Sequence, residues 1–492
     1  MQKLLFLSAL WRAVHAATIN STTCDANCQA LAKTGIEYET SAHAVPNDPF
    51  YTAPSNFSRT LAPGSLLKIE YATDLSNYLV PNSLTMSRIM YTTTDLNGTV
   101  LPVSAYILWP YTSITPSNKP GSAQFPLVAW AHGTTGNFAA CGPSNYKALQ
   151  YHFMVPYAIA EQGIAVVAPD YAGLGVGFLP DGTPIPHAYA APPAQANDLA
   201  NAVIAARAAF PANFLASGPF VAAGHSQGGA ISWAFAERQT AKPLAGYKGT
   251  LAFAPFLNPV KWIEKALVSL ANGDLANTGP LGVEANVISG VTAVYPAYND
   301  SGMTPVTYDR WNNVITPQQA CNPAGSLILS DIPQADLARP TWTKDKPAVD
   351  FVNRTVPGGK KFAGPLLVIA GEQDSLVTLQ NLQPIYNDTC AFLAQTHSSE
   401  VLELVTFPKM NHFPVILASQ SLWMEWIKDR LLGSSAPRAK KDTTSFGSKG
   451  PNCSQRSVNG FRTDLVAQGQ NAIFPNWLVT GVPPSEAWKL LL

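Results

Sequence analysis

The chain has 492 residues, a formal net charge of zero at pH 7 and only 13% charged residues. With so few charges and no net charge, the electrostatic field of the protein attracts neither nucleic acid nor a strongly acidic substrate. We therefore expect no nucleic-acid partner. Beyond its N-terminal segment the sequence has no apolar run of 18 or more residues, so we expect no integral membrane segment. The length exceeds one ordinary domain but fits one catalytic body that carries an insertion.

The first 16 residues follow the three-part plan of a secretory signal peptide. Lys3 precedes the apolar run L-L-F-L-S-A-L-W, and V-H-A precedes Ala17. Secretion would place the chain where disulfides form, and its six cysteines are an even number. Six cysteines allow 15 pairings, and the sequence does not select among them. Seven N-x-S/T sequons also favour secretion and predict a glycoprotein. They are Asn20, Asn56, Asn97, Asn299, Asn353, Asn387 and Asn452.

Both ends of the chain differ in composition from its middle. Residues 17–80 are rich in Pro, Ser and Asn and are predicted to form an N-terminal arm, while residues 433–492 are predicted to be a linker and a C-terminal tail. Between them strands and helices alternate, which favours a mostly parallel α/β sheet covered by helices on both faces. The predicted strands lie at 86–93, 100–109, 127–131, 164–168, 219–223, 249–254, 365–370 and 401–407.

The most informative segment joins the strand at 219–223 to a predicted helix. It reads G-H-S-Q-G from Gly224 to Gly228, which is the layout of a nucleophile elbow. A serine on this sharp turn projects its hydroxyl clear of the sheet, and the glycines let strand and helix approach closely. Ser226 is therefore the predicted nucleophile. The motif alone is weak evidence, and the flanking strand and helix strengthen it.

A serine hydroxyl is a poor nucleophile unless a base takes its proton and an acid orients that base. In enzymes with this elbow the acid follows a late strand. Asp374 comes shortly after the predicted strand at 365–370 and is the predicted orienting acid. Many aspartates after strands only cap turns. Glu372 and Asp388 are rival acids. Neither lies at the same distance from the end of the strand as Asp374, and neither is followed, as Asp374 is, by S-L-V.

The general base should follow the last strand of the sheet. His412 meets this condition, because the predicted strand at 401–407 leads to it through four residues. His397 is the other histidine that follows Asp374, and it precedes that strand. His412 is therefore the predicted base.

The negative oxygen of a tetrahedral intermediate needs hydrogen-bond donors. One predicted donor is the backbone N–H of Gln227, which comes with the elbow. The second should come from the H-G-T-T-G loop after the strand at 127–131, with Thr134 the first choice and Thr135 the second. This mechanism requires no cofactor and no metal ion, and the sequence has no C-x-x-C or histidine-rich metal pattern.

About a hundred residues separate the strand that ends near residue 256 from the one that begins near 365, far more than a plain crossover needs. We predict that residues 258–360 form a helical cap or lid, which could contact a lipid interface. The catalytic domain then comprises residues 81–257 and 361–432. The stretch K-W-I-E-K-A-L-V-S-L within the cap has apolar residues at helical spacing, a pattern more typical of core than of lipid contact.

Five motifs in this order resemble those of the fungal secretory lipases, the family of the Candida lipase A type. They are H-G-T-T-G at 132–136, A-P-D-Y-A-G-L-G at 168–175, G-H-S-Q-G-G at 224–229, G-E-Q-D at 371–374 and N-H-F at 411–413. The resemblance spans roughly residues 80–432. It implies an α/β-hydrolase fold with a lid, and it implies Ser226, Asp374 and His412 as the catalytic triad.

The chain departs from the lipase A type beside the nucleophile. That type has an aspartate side chain in the oxyanion region and a tyrosine and a glycine next to the serine, whereas this chain has threonines, His225 and Gln227. The departures leave ester hydrolysis as the expectation without implying activity on long-chain triglyceride.

The leading interpretation is a secreted serine hydrolase of the lipase or esterase type, which cleaves a small-molecule or lipid ester of apolar character through an acyl-enzyme. An acyltransferase would use the same triad, and the sequence does not separate transfer from hydrolysis. A serine peptidase and a non-catalytic binding protein on the same fold are weaker alternatives.

Overall fold

The computed structural model describes residues 19–115, 124–149, 155–274, 278–433, 452–458 and 488–489. The predicted signal peptide at 1–16 and nearly all of the predicted linker lie outside these residues. Ten strands of the described part form one sheet. They are β1 (Leu66–Glu70), β2 (Leu84–Thr94), β3 (Val100–Pro110), β4 (Leu127–Ala131), β5 (Ala165–Pro169), β6 (Phe220–His225), β7 (Tyr247–Phe253), β8 (Leu366–Gly371), β9 (Leu402–Phe407) and β10 (Cys453–Ser457).

Helices connect and cover these strands. They are α1 (Ala26–Ala42), α2 (Pro156–Ala160), α3 (Pro192–Ala209), α4 (Gln227–Arg238), α5 (Pro259–Ala271), α6 (Glu284–Val294), α7 (Pro305–Arg310), α8 (Thr316–Gln318), α9 (Asn322–Ile328), α10 (Lys346–Thr355), α11 (Leu379–Gln395), α12 (Pro414–Ala418) and α13 (Gln420–Leu432). Short 3₁₀ turns occur at Pro49–Tyr51, Leu75–Asn77, Ala139–Cys141, Pro143–Asn145, Gly279–Val283, Pro296–Tyr298, Gln334–Asp336 and Trp342–Lys344, and a π-helical turn at Trp311–Ile315.

The strands run across the sheet in the order β1-β2-β3-β5-β4-β6-β7-β8-β9-β10. The pairs β1–β2, β2–β3 and β3–β5 are antiparallel, and all other neighbours are parallel. Parallel neighbours need crossover connections, which place helices on the faces of the sheet. The predicted mostly parallel α/β sheet with covering helices is confirmed.

Strand β8 shows why the central strands read as continuous apolar runs. Leu367 and Ile369 pack in the cluster that contains α13, while Leu366, Val368 and Ala370 pack on the other face with α11. Successive side chains of a strand point to opposite faces, so a strand covered on both faces must be apolar at every position. Every residue of β4, β5, β6 and β8 is buried in this way.

Residues 258–360, called the insertion below, contain helices α5 to α10 and, within their described part, no strand of the sheet. Their apolar core also includes residues of α1. The predicted stripe on α5 is part of the interior, since Trp262, Ile263 and Ala266 are buried. Helix α1 packs directly on α9, because a Cβ on Gly35 would lie 2.9 Å from the Cα of Ala324.

Glu39 fastens helix α1 to the insertion. Its two carboxylate oxygens accept hydrogen bonds from the backbone N–H groups of Cys321 (2.9 Å) and Ala324 (2.8 Å) at the start of α9. Burial raises the pKa of Glu39 to about 7, although both hydrogen bonds act in the opposite direction. The N-terminal arm is therefore joined to the insertion by an enclosed carboxyl group.

Neither of the two edge strands of the sheet was predicted from the sequence. β1 lies in the predicted N-terminal arm and pairs with β2, and β10 lies in the predicted tail and pairs with β9. The tail also contacts α1, where the ring of Trp488 lies 5.3 Å from the ring of Tyr38.

The six cysteines form three disulfides. They are Cys24–Cys28, Cys141–Cys321 and Cys390–Cys453. Among the described helices, none combines the length and the apolar character that a bilayer crossing requires.

Candidate active site

The predicted site residues meet at one edge of the sheet. Strands β4, β6, β8 and β9 belong to its parallel part, and the segments that follow their carboxyl ends contain the H-G-T-T-G loop, the elbow, Asp374 and His412. In open α/β sheets the carboxyl edge is the usual place for a ligand. The topology therefore gathers four segments that are far apart in the sequence.

Ser226 occupies a sharp turn between β6 and α4. Its φ of 58° and ψ of −118° are rare for a residue with a side chain, and such a conformation persists only where neighbours enforce it. The Ser226 N–H donates to the carbonyl of Phe253 (2.9 Å), and its own carbonyl accepts from Phe256 N–H (3.0 Å) and Ala230 N–H (3.1 Å). These bonds hold the half-buried serine at the carboxyl edge.

Two glycines let the elbow pack against its neighbours. A Cβ on Gly224 would overlap the carbonyl group of Gly228, and a Cβ on Gly228 would overlap the carbonyl group of Ala131 at the end of β4. Any side chain at either position would push α4 away from the sheet. The same contact places the first turn of α4 beside the start of the H-G-T-T-G loop.

Asp374 and His412 form a buried pair. His412 Nδ1 lies 2.7 Å from Asp374 Oδ2, and both side chains are almost completely enclosed. The other carboxylate oxygen accepts the N–H groups of Leu376 (2.8 Å) and Val377 (2.7 Å). Because a carboxylate can only accept, this hydrogen bond favours the imidazole tautomer with its proton on Nδ1, and in that tautomer Nε2 is able to take a proton.

Two further side chains, which the sequence reasoning did not identify, hold the loop of His412. Asn411 Oδ1 accepts the N–H groups of His412 (2.7 Å) and Ser375 (3.1 Å), and so joins this loop to that of Asp374. His225 Nε2 donates to the carbonyl of His412 (3.0 Å). Burial, and then the nearby His412, lower the pKa of His225 well below its usual value, so it is a neutral donor.

His225 also ties His412 to the predicted nucleophile, because it precedes Ser226 in the chain. The rings of His225 and His412 lie 4.5 Å apart between centroids. Within the described residues, Ser226 Oγ and His412 Nε2 form no hydrogen bond with each other. The hydrogen bond between a nucleophile and its base is often long before substrate binds. Both His225 and Asn411 stand inside the sequence motifs, but their roles depend on contacts between distant segments.

The candidate oxyanion donors lie where β4 and the elbow meet. Gln227 is the first residue of α4, where backbone N–H groups have no partner within the helix. In the described part of the chain neither the Gln227 nor the Thr134 N–H group donates to another backbone group. The Thr134 hydroxyl lies 2.7 Å from the hydroxyl of Tyr189, and Thr135 accepts the N–H of Asn322 from the insertion (2.9 Å).

The A-P-D-Y-A-G-L-G motif supports this loop from behind. The ring of Tyr171 stacks on His132 at 4.0 Å, and its hydroxyl donates to the His132 carbonyl (2.9 Å). Asp170 accepts the hydroxyls of Ser104 and Ser144, each at 2.6 Å. Burial raises the pKa of Asp170 to about 6. The motif is therefore a buried support of the oxyanion loop.

Besides the Asn322–Thr135 hydrogen bond, two more direct links join the predicted oxyanion region to the insertion. Asn137 and Asn286 of α6 exchange hydrogen bonds, since Asn137 Nδ2 donates to the Asn286 carbonyl (3.1 Å) and Asn286 Nδ2 donates to Asn137 Oδ1 (2.8 Å). The disulfide Cys141–Cys321 joins the segment after the loop to the start of α9. The insertion is thus fixed beside the site.

A cavity of about 220 Å³ lies elsewhere in the described part of the chain and is lined in part by His187. None of the five predicted site residues lines it.

Residues 128–420 match the alpha/beta hydrolase family, and the chain belongs to this family. Solved structures with the same fold include Candida antarctica lipase A in its closed state, which is 16% identical, with a TM-score of 0.60 over 80% of this chain and 89% of that one. Another is the rice cell wall degrading esterase LipA from Xanthomonas oryzae, 18% identical, with a TM-score of 0.54 over 76% of this chain and 99% of that one. A comparison with curated proteins gives no significant match. The resemblance seen in the sequence is confirmed at the level of family and fold.

Proposed function

We propose that this protein is a secreted serine hydrolase of carboxylic esters, of the lipase or esterase type. The observation that carries the proposal is the buried Asp374–His412 pair, tied through His225 to the strained elbow that presents Ser226. An imidazole oriented by a carboxylate, beside a serine on an elbow, is the arrangement that activates a hydroxyl for attack on an acyl group.

In the proposed reaction Ser226 Oγ attacks the ester carbonyl while His412 Nε2 takes the hydroxyl proton. Asp374 stabilises the resulting imidazolium through the Nδ1 hydrogen bond. The backbone N–H groups of Gln227 and Thr134 stabilise the negative oxygen of the tetrahedral intermediate. His412 returns the proton to the leaving alcohol, and a water molecule, activated in the same way, releases the acid from the acyl-enzyme.

The insertion supports an apolar ester as substrate. We propose that it acts as a cap, because it is attached to the predicted oxyanion region and shares an apolar core with α1 and with Tyr189 beside that region. Fold neighbours that are named a lipase and an esterase agree with this assignment. Secretion is supported by the signal-like first 16 residues and by three disulfides, which are typical of oxidising compartments.

The test is hydrolysis of p-nitrophenyl esters from acetate to palmitate, with products checked by mass. The enzyme is collected from the culture medium, where we expect Ala17 as its first residue. Ser226→Ala should lower kcat/KM by about 10⁴-fold or more and abolish labelling by a fluorophosphonate. Ser232→Ala is the matched control on the same helix, since the Ser232 hydroxyl donates to backbone carbonyls and should leave turnover unchanged.

A Ser226→Ala variant with turnover within about tenfold of wild type would contradict the assignment. Covalent labelling of Ser226 without release of free acid, together with an acceptor-dependent product, would identify an acyltransferase instead.

A further inference from the structure

The hydroxyl of Tyr189 is hydrogen bonded to the side chain of Thr134, one of the two candidate oxyanion residues. The distance between Tyr189 Oη and Thr134 Oγ1 is 2.7 Å. Tyr189 is completely buried, whereas Thr134 keeps 9% of its surface exposed. Of the two hydrogen-bonded residues, Tyr189 is therefore the more enclosed.

The direction of this hydrogen bond follows from the partners of Tyr189. Among the described residues Thr134 Oγ1 is the one oxygen with which the Tyr189 hydroxyl bonds. A buried hydroxyl proton without an acceptor costs about 1–3 kcal/mol. Either hydroxyl could donate here, and we assign the proton to Tyr189 because it is the more enclosed of the two residues. A phenol is also a stronger donor than an aliphatic hydroxyl, and burial raises the pKa of Tyr189, which keeps it neutral. The Thr134 proton is then free to point elsewhere.

The backbone holds Tyr189 in place on the side of the insertion. The Tyr189 N–H donates to the carbonyl of His187 (2.8 Å), and the next residue, Ala190, has a φ of 56°. A Cβ on Gly290 of α6 would overlap the Tyr189 carbonyl group, so helix and tyrosine are in direct backbone contact. Through the Asn137–Asn286 bonds, α6 contacts the oxyanion region a second time. The insertion thus packs directly against the backbone of the residue that carries the phenol.

We propose that Tyr189 is a positioning residue that orients the Thr134 hydroxyl as a third donor to the oxyanion, and that α6 of the insertion holds it there. The inference rests on the proposed function, because it needs an oxyanion formed by attack of Ser226. It adds a side-chain donor to the two backbone donors and links the insertion to the catalytic step.

The experiment compares Thr134→Val, Tyr189→Phe and the double variant in the full chain. Each change removes a hydroxyl and keeps the shape, and Thr134→Val also keeps the backbone N–H group. We expect Thr134→Val to lower kcat for p-nitrophenyl butyrate about 100-fold and Tyr189→Phe about tenfold, with KM within about twofold. The double variant should equal Thr134→Val, since Tyr189 acts only through that hydroxyl.

Binding of a trifluoromethyl ketone separates a positioning role from a structural one. This inhibitor forms a tetrahedral oxyanion adduct with the serine, so its inhibition constant should rise in each variant by the same factor as kcat/KM falls. Tyr106→Phe is the matched control, because Tyr106 is buried and its hydroxyl has no partner in the described part of the chain. It should change neither quantity.

Three outcomes would overturn the proposal: an unchanged kcat in Tyr189→Phe, losses that multiply in the double variant, or a changed KM with an unchanged inhibition constant. If Tyr189→Phe does not fold, the comparison of Thr134→Ser with Thr134→Val tests the proposal instead. Serine keeps the hydroxyl, so Thr134→Ser should retain the activity that Thr134→Val loses. Equal activity of these two would also contradict the proposal. Ser226→Ala, measured alongside, shows separately whether the serine mechanism itself holds.

Discussion

The sheet with its covering helices and the insertion are stabilised by different means. In the sheet, whole strands are buried on both faces, and their neighbours are joined by regular backbone hydrogen bonds. The insertion is attached by separate long-range links: the Cys141–Cys321 disulfide, the Glu39 carboxyl group and the Asn137–Asn286 pair. Each of these links can be removed by substitution, whereas the insertion is also held by apolar packing, in which Trp262 of α5 belongs to one cluster with Trp233 of α4 and Val368 of β8.

The chemistry follows the same division. Ser226, Asp374 and His412 stand on short segments at the ends of strands, and backbone N–H and carbonyl groups fix their positions. Thr134 instead meets the insertion through one intermediate residue, because its hydroxyl contacts Tyr189 and the backbone of Tyr189 packs on α6. We expect changes at the proposed triad to remove activity without unfolding the protein, and changes at the links to alter stability first.

The largest effect is expected at Asp374, the proposed orienting acid. Asp374→Asn should lower kcat/KM by about 10³- to 10⁴-fold, because an amide in this position favours the wrong tautomer of His412. Steady-state hydrolysis of p-nitrophenyl butyrate measures the loss, and circular dichroism checks the fold. Asp388→Asn, at the exposed rival acid on α11, is the matched control and should retain full activity. Equal losses at both positions would refute the role of Asp374.

The next effect concerns the link between the insertion and the oxyanion region. Replacing Cys141 and Cys321 together by serine opens a loop across 180 residues, and we expect a loss of about 5 kcal/mol in the free energy of unfolding. The Cys24–Cys28 disulfide spans four residues, so its removal should cost only about 2 kcal/mol by the same chain-entropy argument. Denaturant titration measures both. Equal losses would mean that the first disulfide does not hold distant parts together.

The smallest effect is a pH dependence at Glu39. Its pKa is raised from 4.5 to about 7 in the folded state, so between these pH values the folded chain keeps a proton that the unfolded chain has lost. The contribution of Glu39 to stability therefore falls as pH rises through this window, by about 3 kcal/mol in total. Glu39→Gln lacks this dependence, so wild type should lose stability relative to the variant between pH 4.5 and 8.

Urea unfolding at pH 4.5 and at pH 8 measures the difference in the free energy of unfolding between wild type and Glu39→Gln. Glu37→Gln, on the exposed side of the same helix, is the control. A stability difference between wild type and Glu39→Gln that does not change with pH would show that the Glu39 carboxyl group is not protonated in the folded protein.

The sequence predicted the elements whose signal is local. The apolar run at 365–370 had to be a buried strand, and G-H-S-Q-G between a strand and a helix had to be a tight turn with its serine outward. The edge strands β1 and β10 were not predicted, because L-L-K-I-E is only half-buried and C-S-Q-R-S has a single buried residue. Such segments become strands only when a neighbouring strand supplies the backbone partners.

The sequence by itself therefore determined the α/β sheet, the elbow and the order of Ser226, Asp374 and His412, since each depends on residues adjacent in the chain. Tertiary structure alone decided that His225 holds the carbonyl of His412, that Cys141 pairs with Cys321, and that Tyr189 meets Thr134. The physical reason is distance along the chain. Hydrogen bonds and disulfides between segments up to 187 residues apart leave no periodic pattern in the sequence and exist only once the sheet has brought those segments to one edge.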